Sequence, residues 1–359
     1  MSHFLNPFRS SERSARSMRA SNKMKTYIIA GPGGLLFDLL NLPIPWILGP
    51  FVFIVLAKSL TSLESEAGPS TKNTAFVLLG IQIGLTFSAE TFRSIGPYLI
   101  PYTILTSAMI AISLLAGWYI SKYGAIDKTT ALVGSSPGGL SAMIAVSDSM
   151  EGNSALVTIF HTLRLMSVLF IIPFYVTHGN FDHSATVGAG VSGAVYKGSI
   201  YTIPLYLAAG WTGWKLRKWI PASLVIIPML FVGSLQTTGV PFYPLPELFF
   251  TLAQFLIGAY LGHTVSIKEI ITAGKTCIAF LVLAVSMIGV GIGMAFLLSW
   301  WTTMEPKTAV LALAPGGLVE MSITAEQTGG EPAIVSSLQT IRLLIIVLLL
   351  PWLFKKLRT

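Results

Sequence analysis

The 359-residue chain has few charged residues: Asp, Glu, Lys and Arg together make up 11% of it, whereas 53% is hydrophobic. Soluble domains contain about 25% charged residues, because polar side chains must cover their surface. The low charged fraction excludes an ordinary water-soluble globule and indicates that lipid is the solvent for much of the chain. Several apolar runs approach or exceed the roughly 20 residues that span a bilayer. The sequence therefore predicts an all-α polytopic membrane protein.

Cysteine and histidine are also scarce. The single cysteine, Cys277, lies within an apolar run, which excludes a disulfide framework and a cysteine-based metal site. The five histidines are scattered, without metal-ligand spacing on any one helix face. The chain also shows no pairing of a nucleophile with a base. We therefore expect no metal and no cofactor, and a protein that is not an enzyme.

Acidic residues are nearly absent from residues 1–25, where Glu12 is the sole carboxylate among six Lys and Arg residues. Such an arm is compatible with an organellar transit peptide, or with a tail that binds nucleic acid or anionic lipid. The third interpretation is a cytoplasmic flank that sets the orientation of the chain in the membrane. We favour this third interpretation, with residues 356–359 as a basic C-terminal tail.

The chain contains an internal duplication. A shift of 178 residues places Pro137-Gly138-Gly139-Leu140 on Pro315-Gly316-Gly317-Leu318, and the register continues without a gap through the following segments. Chance similarity between apolar helices would not keep Gly, Pro and Arg in phase. The sequence therefore predicts two membrane repeats, at 26–178 and 186–355.

Each predicted repeat has five uninterrupted apolar segments and one segment that the Pro-Gly-Gly motif interrupts. If the interrupted segment enters and leaves on the same side, each repeat crosses five times, and most of the 23 Lys and Arg residues lie on the side of the N-terminus. Six crossings would move residues 215–218, Lys268 and Lys275 to the other side. The preference of cytoplasmic loops for positive charge favours five crossings. An odd number inverts the second repeat, as in secondary transporters. Both termini are then cytoplasmic, and we expect the cell inner (plasma) membrane.

The two interruptions predict helices that begin inside the membrane, at Leu140 and at Leu318. Pro suits the first turn of a helix, and Gly-Gly permits close approach of a ligand or of another backbone. A helix N-terminus carries about half a positive charge and offers free N–H donors. Two such termini facing each other would suit an anionic group. The alternative is that Pro and Gly only permit a kink and tight packing.

Arg164 and Arg342 occupy equivalent positions near the middle of the last helix of each repeat. A charge at that depth is costly and marks either a functional site or a paired group. The alternative to a ligand site is an internal ion pair with a carboxylate, for which the candidates are Asp148, Glu320 and Glu326.

His161 and Gln339 precede the two arginines by three residues and share their helix faces. They would line the same cavity or satisfy backbone groups between helices. Glu320 stands where the first repeat has Ala142. A carboxylate there would bind a proton or a cation, or would neutralise an arginine. The predicted substrate-binding residues are Pro137, Gly138, Gly139, His161, Arg164, Pro315, Gly316, Gly317, Glu320, Gln339 and Arg342.

The paired "PGGL…M" segments, each followed by a helix with an embedded arginine ("HTLRL", "LQTIRLL"), resemble the AbrB-type integral membrane family. The segments "LPIPWILGP" and "LAQFLIGAYLG" strengthen the resemblance, which covers residues 30–354. The second repeat departs from the family pattern with Ile227, where the first has Gly49. The resemblance implies an inverted-repeat, transporter-like fold. Members of that family are similar to a protein described as a regulator of gene expression, and others carry an ammonia monooxygenase label. That activity needs a metal cluster that this sequence does not offer, and we do not expect it.

The leading functional prediction is a secondary transporter or exporter of a small anionic metabolite, with its site at the two Pro-Gly-Gly breaks. The alternative is a membrane-embedded regulator or sensor that affects gene expression through a partner protein. The expected partners are the lipid bilayer and a small-molecule substrate or ligand. A homo-oligomer is compatible with both hypotheses, and direct contact with nucleic acid is not expected.

Overall fold

The computed structural model describes residues 6–61, 65–124, 126–138, 140–179, 181 and 198–358, and this part of the chain is helical. Its only extended pairing is an isolated bridge between Ser199 and Phe242. The described residues do not include Gly139, the first five residues of the predicted N-terminal arm, the start of the predicted second repeat at 186–197, or Thr359.

Fifteen α-helices follow one another in these ranges. They are α1 (Asn6–Leu39), α2 (Pro45–Leu60), α3 (Pro69–Leu85), α4 (Ala89–Tyr123), α5 (Lys128–Ser135), α6 (Leu140–Ser149), α7 (Ser154–His178), α8 (Ile203–Lys215), α9 (Ser223–Thr237), α10 (Glu247–Thr264), α11 (Ile267–Ala273), α12 (Lys275–Trp301), α13 (Pro306–Leu313), α14 (Leu318–Thr328) and α15 (Pro332–Arg358).

Both interrupted segments are broken helices, at the positions that the sequence predicts. In the first, α5 ends at Ser135 and α6 begins at Leu140; in the second, α13 ends at Leu313 and α14 begins at Leu318. A proline disfavours helical torsion angles in the residue before it, because its ring clashes with that residue's backbone. Ser136 (ψ 137°) and Ala314 (ψ 134°) accordingly have extended backbones, and the helix ends there.

Long apolar helices are consistent with a membrane protein. Within the described residues, α4, α7, α12 and the Pro332–Leu350 part of α15 are long and apolar enough to cross a bilayer. The pair α10 and α11, which bend by 42° at their junction, would form a fifth span. The shorter apolar helices α2 and α9 have 16 and 15 residues. The all-helical class is confirmed, while the number of crossings and the inversion stay predictions.

The chain divides into two compact units, residues 1–78 with 246–267, and residues 79–245 with 268–359. In the first unit, α1, α2 and α10 pack around Ala30, Ile54 and Ala259. Lys58 of α2 donates hydrogen bonds to the carbonyls of His263 (2.7 Å) and Val265, and so caps the C-terminus of α10. In the second unit, buried apolar residues form a core where α4, α7, α12, α13, α14 and α15 meet.

Equivalent glycines make equivalent helix contacts in the two units. In the first unit, a Cβ added to Gly258 would collide with the carbonyl oxygen of Ile47. In the second, a Cβ added to Gly80 would collide with the carbonyl oxygen of Val225. Gly258 lies 178 positions after Gly80, and Val225 lies 178 positions after Ile47. The duplication is therefore present in the packing of the helices as well as in the sequence.

Candidate functional site

Arg164 of α7 holds together the two sides of the first break. Its Nη1 donates a hydrogen bond to the carbonyl of Ser136 at 2.7 Å, and its Nη2 donates to the carbonyl of Gly138 at 2.9 Å. These carbonyls flank Pro137, and Ser136 is the C-cap of α5. The last carbonyls of a helix lack intrahelical partners and carry partial negative charge. The carbonyl of Ser136 also accepts a hydrogen bond from the backbone N–H of Gly138 at 2.8 Å. The guanidinium therefore adds a second donor to Ser136, a donor to Gly138 and a compensating charge.

Arg342 of α15 makes the same pair of contacts at the second break. It donates from Nη1 to the carbonyl of Ala314 at 2.5 Å and from Nη2 to the carbonyl of Gly316 at 2.6 Å. These three residues lie 178 positions after Arg164, Ser136 and Gly138. Nη2 also donates to Oε1 of Gln339. Across the described ranges, neither arginine forms an ion pair with a carboxylate. Each arginine thus has backbone carbonyls as its partners, in place of the carboxylate that the alternative interpretation required.

The residues three positions before the arginines differ between the breaks. Gln339 donates from Nε2 to the carbonyls of Leu311 (2.9 Å) and Ala314 (3.4 Å), while its Oε1 accepts from Arg342. His161 contacts the carbonyl of Val133 with Nε2 at 3.2 Å. Its Nδ1 is buried and has no partner in the described part of the chain. Gln339 thus forms hydrogen bonds both to Arg342 and to the helix end at the break. His161 contacts its helix end, but in the described part of the chain it makes no hydrogen bond to Arg164.

Glu320 lies at the start of α14 and is only 8% exposed. Its carboxyl group folds back over Gly317, where an added Cβ would overlap its Oε2. A carboxylate in the first turn stabilises a helix, because it opposes the partial positive charge there. The second break therefore contains its own carboxyl group. The first repeat has Ala142 at the equivalent position and no such carboxylate.

A cavity of about 20 Å³ lies where the two breaks approach each other, and its lining includes Pro137, Pro315 and Arg164. That volume admits a group about the size of one water molecule. Ser113 and Ser135 contribute the hydroxyl groups of its wall. Of the predicted site residues, the structure brings together these two prolines and Arg164. Gly138, Gly316 and Gly317 form the adjoining linkers, and Gly139 is not described.

Apolar side chains form the remaining wall of the cavity. Phe160 of α7 and Phe280 of α12 stack with ring centroids 3.5 Å apart and an interplanar angle of 2°. Met287 of α12 lines the same side. The cavity thus combines one cationic side chain and two hydroxyl groups with an aromatic surface.

Ser113 and Phe280 line the cavity, although no motif in the sequence indicates them. Ser113 Oγ donates to the carbonyl of Ser135 at 2.5 Å, within the cavity wall. The signal that would have found Ser113 is the register of the repeats, which pairs it with Gly291. The hydroxyl group that Ser113 presents to the first break therefore has no counterpart at the second.

These features define a helical protein of membrane-spanning character, with two matched broken helices that meet at a small cavity. The chain matches the family model described as "Transition state regulatory protein AbrB" over residues 5–95 and 46–358. It belongs to the AbrB family.

Two relatives match most of their own length. The "Uncharacterized protein YhjN" of Bacillus subtilis (strain 168) is 25% identical over 348 residues, covering 90% of each chain. The "Putative regulator AbrB" of Escherichia coli (strain K12) is 27% identical over 316 residues, covering 87% of this chain and 89% of its own. No solved structure matches this chain.

Proposed function

We propose that this protein is a secondary transporter or exporter of a small anionic metabolite. The observation that carries the proposal is Arg164, which lines a cavity between Pro137 and Pro315 and whose buried Nε has no partner among the described residues. A buried donor without a partner is costly, and a ligand that accepts its hydrogen bond recovers that cost. A cationic donor selects an anionic acceptor.

The charges around the two breaks support the same ligand class. Arg164 and Arg342 contribute two positive charges, and Glu320 contributes one negative charge. The helix carbonyls that the arginines cap offset part of the excess positive charge, but each carbonyl carries only a partial negative charge. An anion bound between the breaks would offset the rest. We assign to Glu320 the additional role of binding a coupling proton or cation.

The transport mechanism follows from an inverted arrangement of the two repeats. In that arrangement, residues 26–178 and 186–355 have opposite orientations in the inner (plasma) membrane, with five crossings each and with both termini cytoplasmic. Rocking of one repeat against the other would expose a fixed site in the middle of the membrane to each side of the membrane in turn. This mechanism needs no catalytic chemistry, so we propose a protein that is not an enzyme and whose partners are the bilayer and its small-molecule substrate.

The test is flux in proteoliposomes that contain the purified full chain. A panel of radiolabelled small carboxylates and inorganic anions is offered to wild type, Arg164→Gln, Arg342→Gln and the exposed control Arg217→Gln. Because the first two arginines also support the breaks, gel filtration and thermal unfolding must establish that each variant is folded. We expect the control to keep its flux and both break variants to lose it. Wild-type flux in folded Arg164→Gln would contradict the proposal, as would the absence of flux with the whole panel.

A membrane-embedded regulator or sensor is the second candidate, and the names of the family model and of the Escherichia coli relative favour it. Such a protein would bind its ligand at the same breaks and signal through a partner protein. Deletion of residues 2–24 separates the two functions, provided that membrane insertion is unchanged. A regulator should lose its effect on gene expression, whereas a transporter should keep its flux.

A further inference from the structure

Gln82 and Glu326 form a polar contact between the two repeats. Gln82 lies on α3, in the predicted first repeat, and Glu326 lies on α14, in the predicted second repeat. The amide Nε2 of Gln82 donates a hydrogen bond to Oε1 of Glu326 at 3.1 Å. Neither side chain lines the cavity between the breaks. The contact therefore joins α3 to the second broken segment at a place outside the proposed substrate site.

The carboxyl group of Glu326 is only half satisfied by hydrogen bonds. Its Oε2 is buried, and no donor among the described residues reaches it. Over the same described ranges, Glu326 forms no ion pair. A buried hydroxyl without an acceptor costs less than a buried carboxylate oxygen without a donor, because only the carboxylate buries a charge. The surroundings of Oε2 therefore favour a proton on that oxygen.

The position of Glu326 along α14 has the same effect. The helix runs from Leu318 to Thr328, so Glu326 lies in its last turn. The C-terminus of a helix carries about half a negative charge, which repels a carboxylate. Glu320 lies in the first turn, where the partial charge is positive and attracts a carboxylate. By position along the helix, Glu326 is therefore the one of these two carboxyl groups that favours the neutral form.

The charged groups of the neighbouring helices do not neutralise Glu326. Lys307 of α13 donates from Nζ to the carbonyl of Thr328 at 3.1 Å, so it offsets part of the charge of the helix end and does not bind the carboxyl group. Residues 79–85 of α3 contain no titratable side chain. The other charged residues and histidines on or next to α7, α13 and α15, apart from the basic end of α15, are His161, Arg164, His178, Glu305, Glu331 and Arg342. None of these forms an ion pair with Glu326 in the described part of the chain.

The first repeat provides a hydrated counterpart at the same position. Asp148 precedes Glu326 by 178 residues. It is exposed, and its Oδ1 accepts a hydrogen bond from Ser154 Oγ. Asp148 thus has both solvent and a hydroxyl donor, whereas Oε2 of Glu326 is buried and has no donor among the described residues. The two copies differ in their surroundings more than in the type of side chain, and the difference singles out Glu326.

We infer that Glu326 binds a proton on Oε2, in addition to the role assigned to Glu320, and that this proton controls the contact between α3 and α14. Glu326 is partly exposed, so a proton from solvent can reach the carboxyl group. A hydrogen bond to an ionised carboxylate is roughly twice as strong as one to a neutral acid. Release of the proton therefore strengthens the contact that Gln82 makes across the repeats, and binding of the proton weakens it.

This proton site rests on the proposed function, because its role is ion coupling. Rocking of one repeat against the other changes the contacts between them. A contact whose strength depends on a proton makes that motion depend on the proton as well. Glu326 and Gln82 would in this way couple a proton gradient to the movement of the anion.

The test is infrared spectroscopy of the purified full chain in detergent, which detects the C=O stretching band of protonated carboxyl groups. Spectra are recorded at about pH 6, well above the ordinary glutamate pKa of about 4.3. The variants are Glu326→Gln, Glu320→Gln and the matched control Asp148→Asn, each checked for folding by gel filtration. We expect wild type, Glu320→Gln and Asp148→Asn to show a band that Glu326→Gln removes. The absence of this band in wild type would overturn the inference, as would a band that Glu326→Gln leaves intact.

Gln82→Leu tests the contact itself and keeps the inference testable if Glu326→Gln does not fold. Loss of the amide donor destabilises the carboxylate more than the neutral acid, because the hydrogen bond to the charged form is the stronger one. The band should therefore persist to a pH about one unit higher in Gln82→Leu than in wild type, the effect of losing one charge-assisted hydrogen bond. Identical titration of the band in the two proteins would overturn the inference.

Flux measurements separate failure of this inference from failure of the proposed function. In proteoliposomes with an imposed pH gradient, wild type and Asp148→Asn should accumulate whichever anion of the radiolabelled panel is transported, and Glu326→Gln should not. The expected infrared band without flux of any anion would support the proton site and contradict transport. Accumulation by Glu326→Gln at the wild-type rate would support transport and overturn the coupling role of Glu326.

Discussion

Replacing Arg342 by methionine should destabilise the protein strongly, although methionine fills a similar volume. The substitution leaves the carbonyl of Gly316 and Oε1 of Gln339 without the guanidinium donor. The carbonyl of Ala314 keeps only the longer hydrogen bond from Gln339 Nε2, at 3.4 Å. Each buried acceptor left unsatisfied costs about 1–3 kcal/mol, so the two acceptors that lose their donor should together cost about 2–6 kcal/mol.

The equivalent change, Arg164→Met, provides an internal comparison. Arg164 contacts Ser136 and Gly138 in the same way, but it makes no hydrogen bond to the residue three positions before it. Its loss should therefore cost less than that of Arg342, by about 1 kcal/mol, the net value of one hydrogen bond. Arg217, an exposed arginine 4.9 Å from the ring centroid of Trp214, serves as the control. Arg217→Met should cost about 0.5–1 kcal/mol.

The assay is equilibrium unfolding in mixed micelles with increasing SDS, followed by far-ultraviolet circular dichroism. The free energies of unfolding should decrease in the order wild type, Arg217→Met, Arg164→Met and Arg342→Met. A loss at Arg342→Met no greater than that at Arg217→Met would refute the reasoning, since it would mean that the guanidinium does not hold the break. An equal loss at the two break arginines would refute the role assigned to Gln339.

Three other changes test the packing and the polar contacts by the same unfolding measurement. Gly258→Ala should cost about 1–3 kcal/mol of stability through overpacking. Gly289→Ala is the control, because nothing lies within 4 Å of its Cβ, and it should be neutral or stabilise by up to about 1 kcal/mol. Equal effects of the two substitutions would contradict the close helix contact at Gly258. Thr130→Val should cost about 1–3 kcal/mol, because the backbone N–H of Asn153 loses the buried Oγ1 that accepts its hydrogen bond at 2.7 Å. His161→Gln should stabilise by about 0.5–1.5 kcal/mol by giving Arg164 an acceptor, and a lower midpoint would count against the comparison of the two breaks.

Much of the fold follows from local physics and was therefore predictable. The breaks at Pro137 and Pro315 appear where the sequence predicts them, because a proline restricts the residue before it wherever it occurs. Apolar length likewise predicts the long helices α4, α7, α12 and α15. The extension of α1 back to Asn6 was not predicted, because the polar N-terminal segment has no apolar periodicity to indicate a helix.

The candidate site was predictable in its composition and less so in its contacts. The repeat alignment paired the arginines correctly, since both copies make the same hydrogen bonds to their breaks. It left open whether an acidic residue neutralises each charge, and the described residues show carbonyl partners instead. The cavity walls contributed by Ser113 and Phe280 were missed, because no local pattern indicates which positions on other helices face a break.

The sequence by itself determined that the chain is helical and apolar, that it is duplicated with a shift of 178 residues, and that one helix in each copy is broken. These properties depend on composition and on the torsional preferences of neighbouring residues. Only the tertiary structure decided that each arginine binds carbonyls 26 and 28 positions earlier in the chain, and that the second break supplies its own carboxylate. Hydrogen bonds and charge compensation act over a few ångströms, so they depend on how the helices pack.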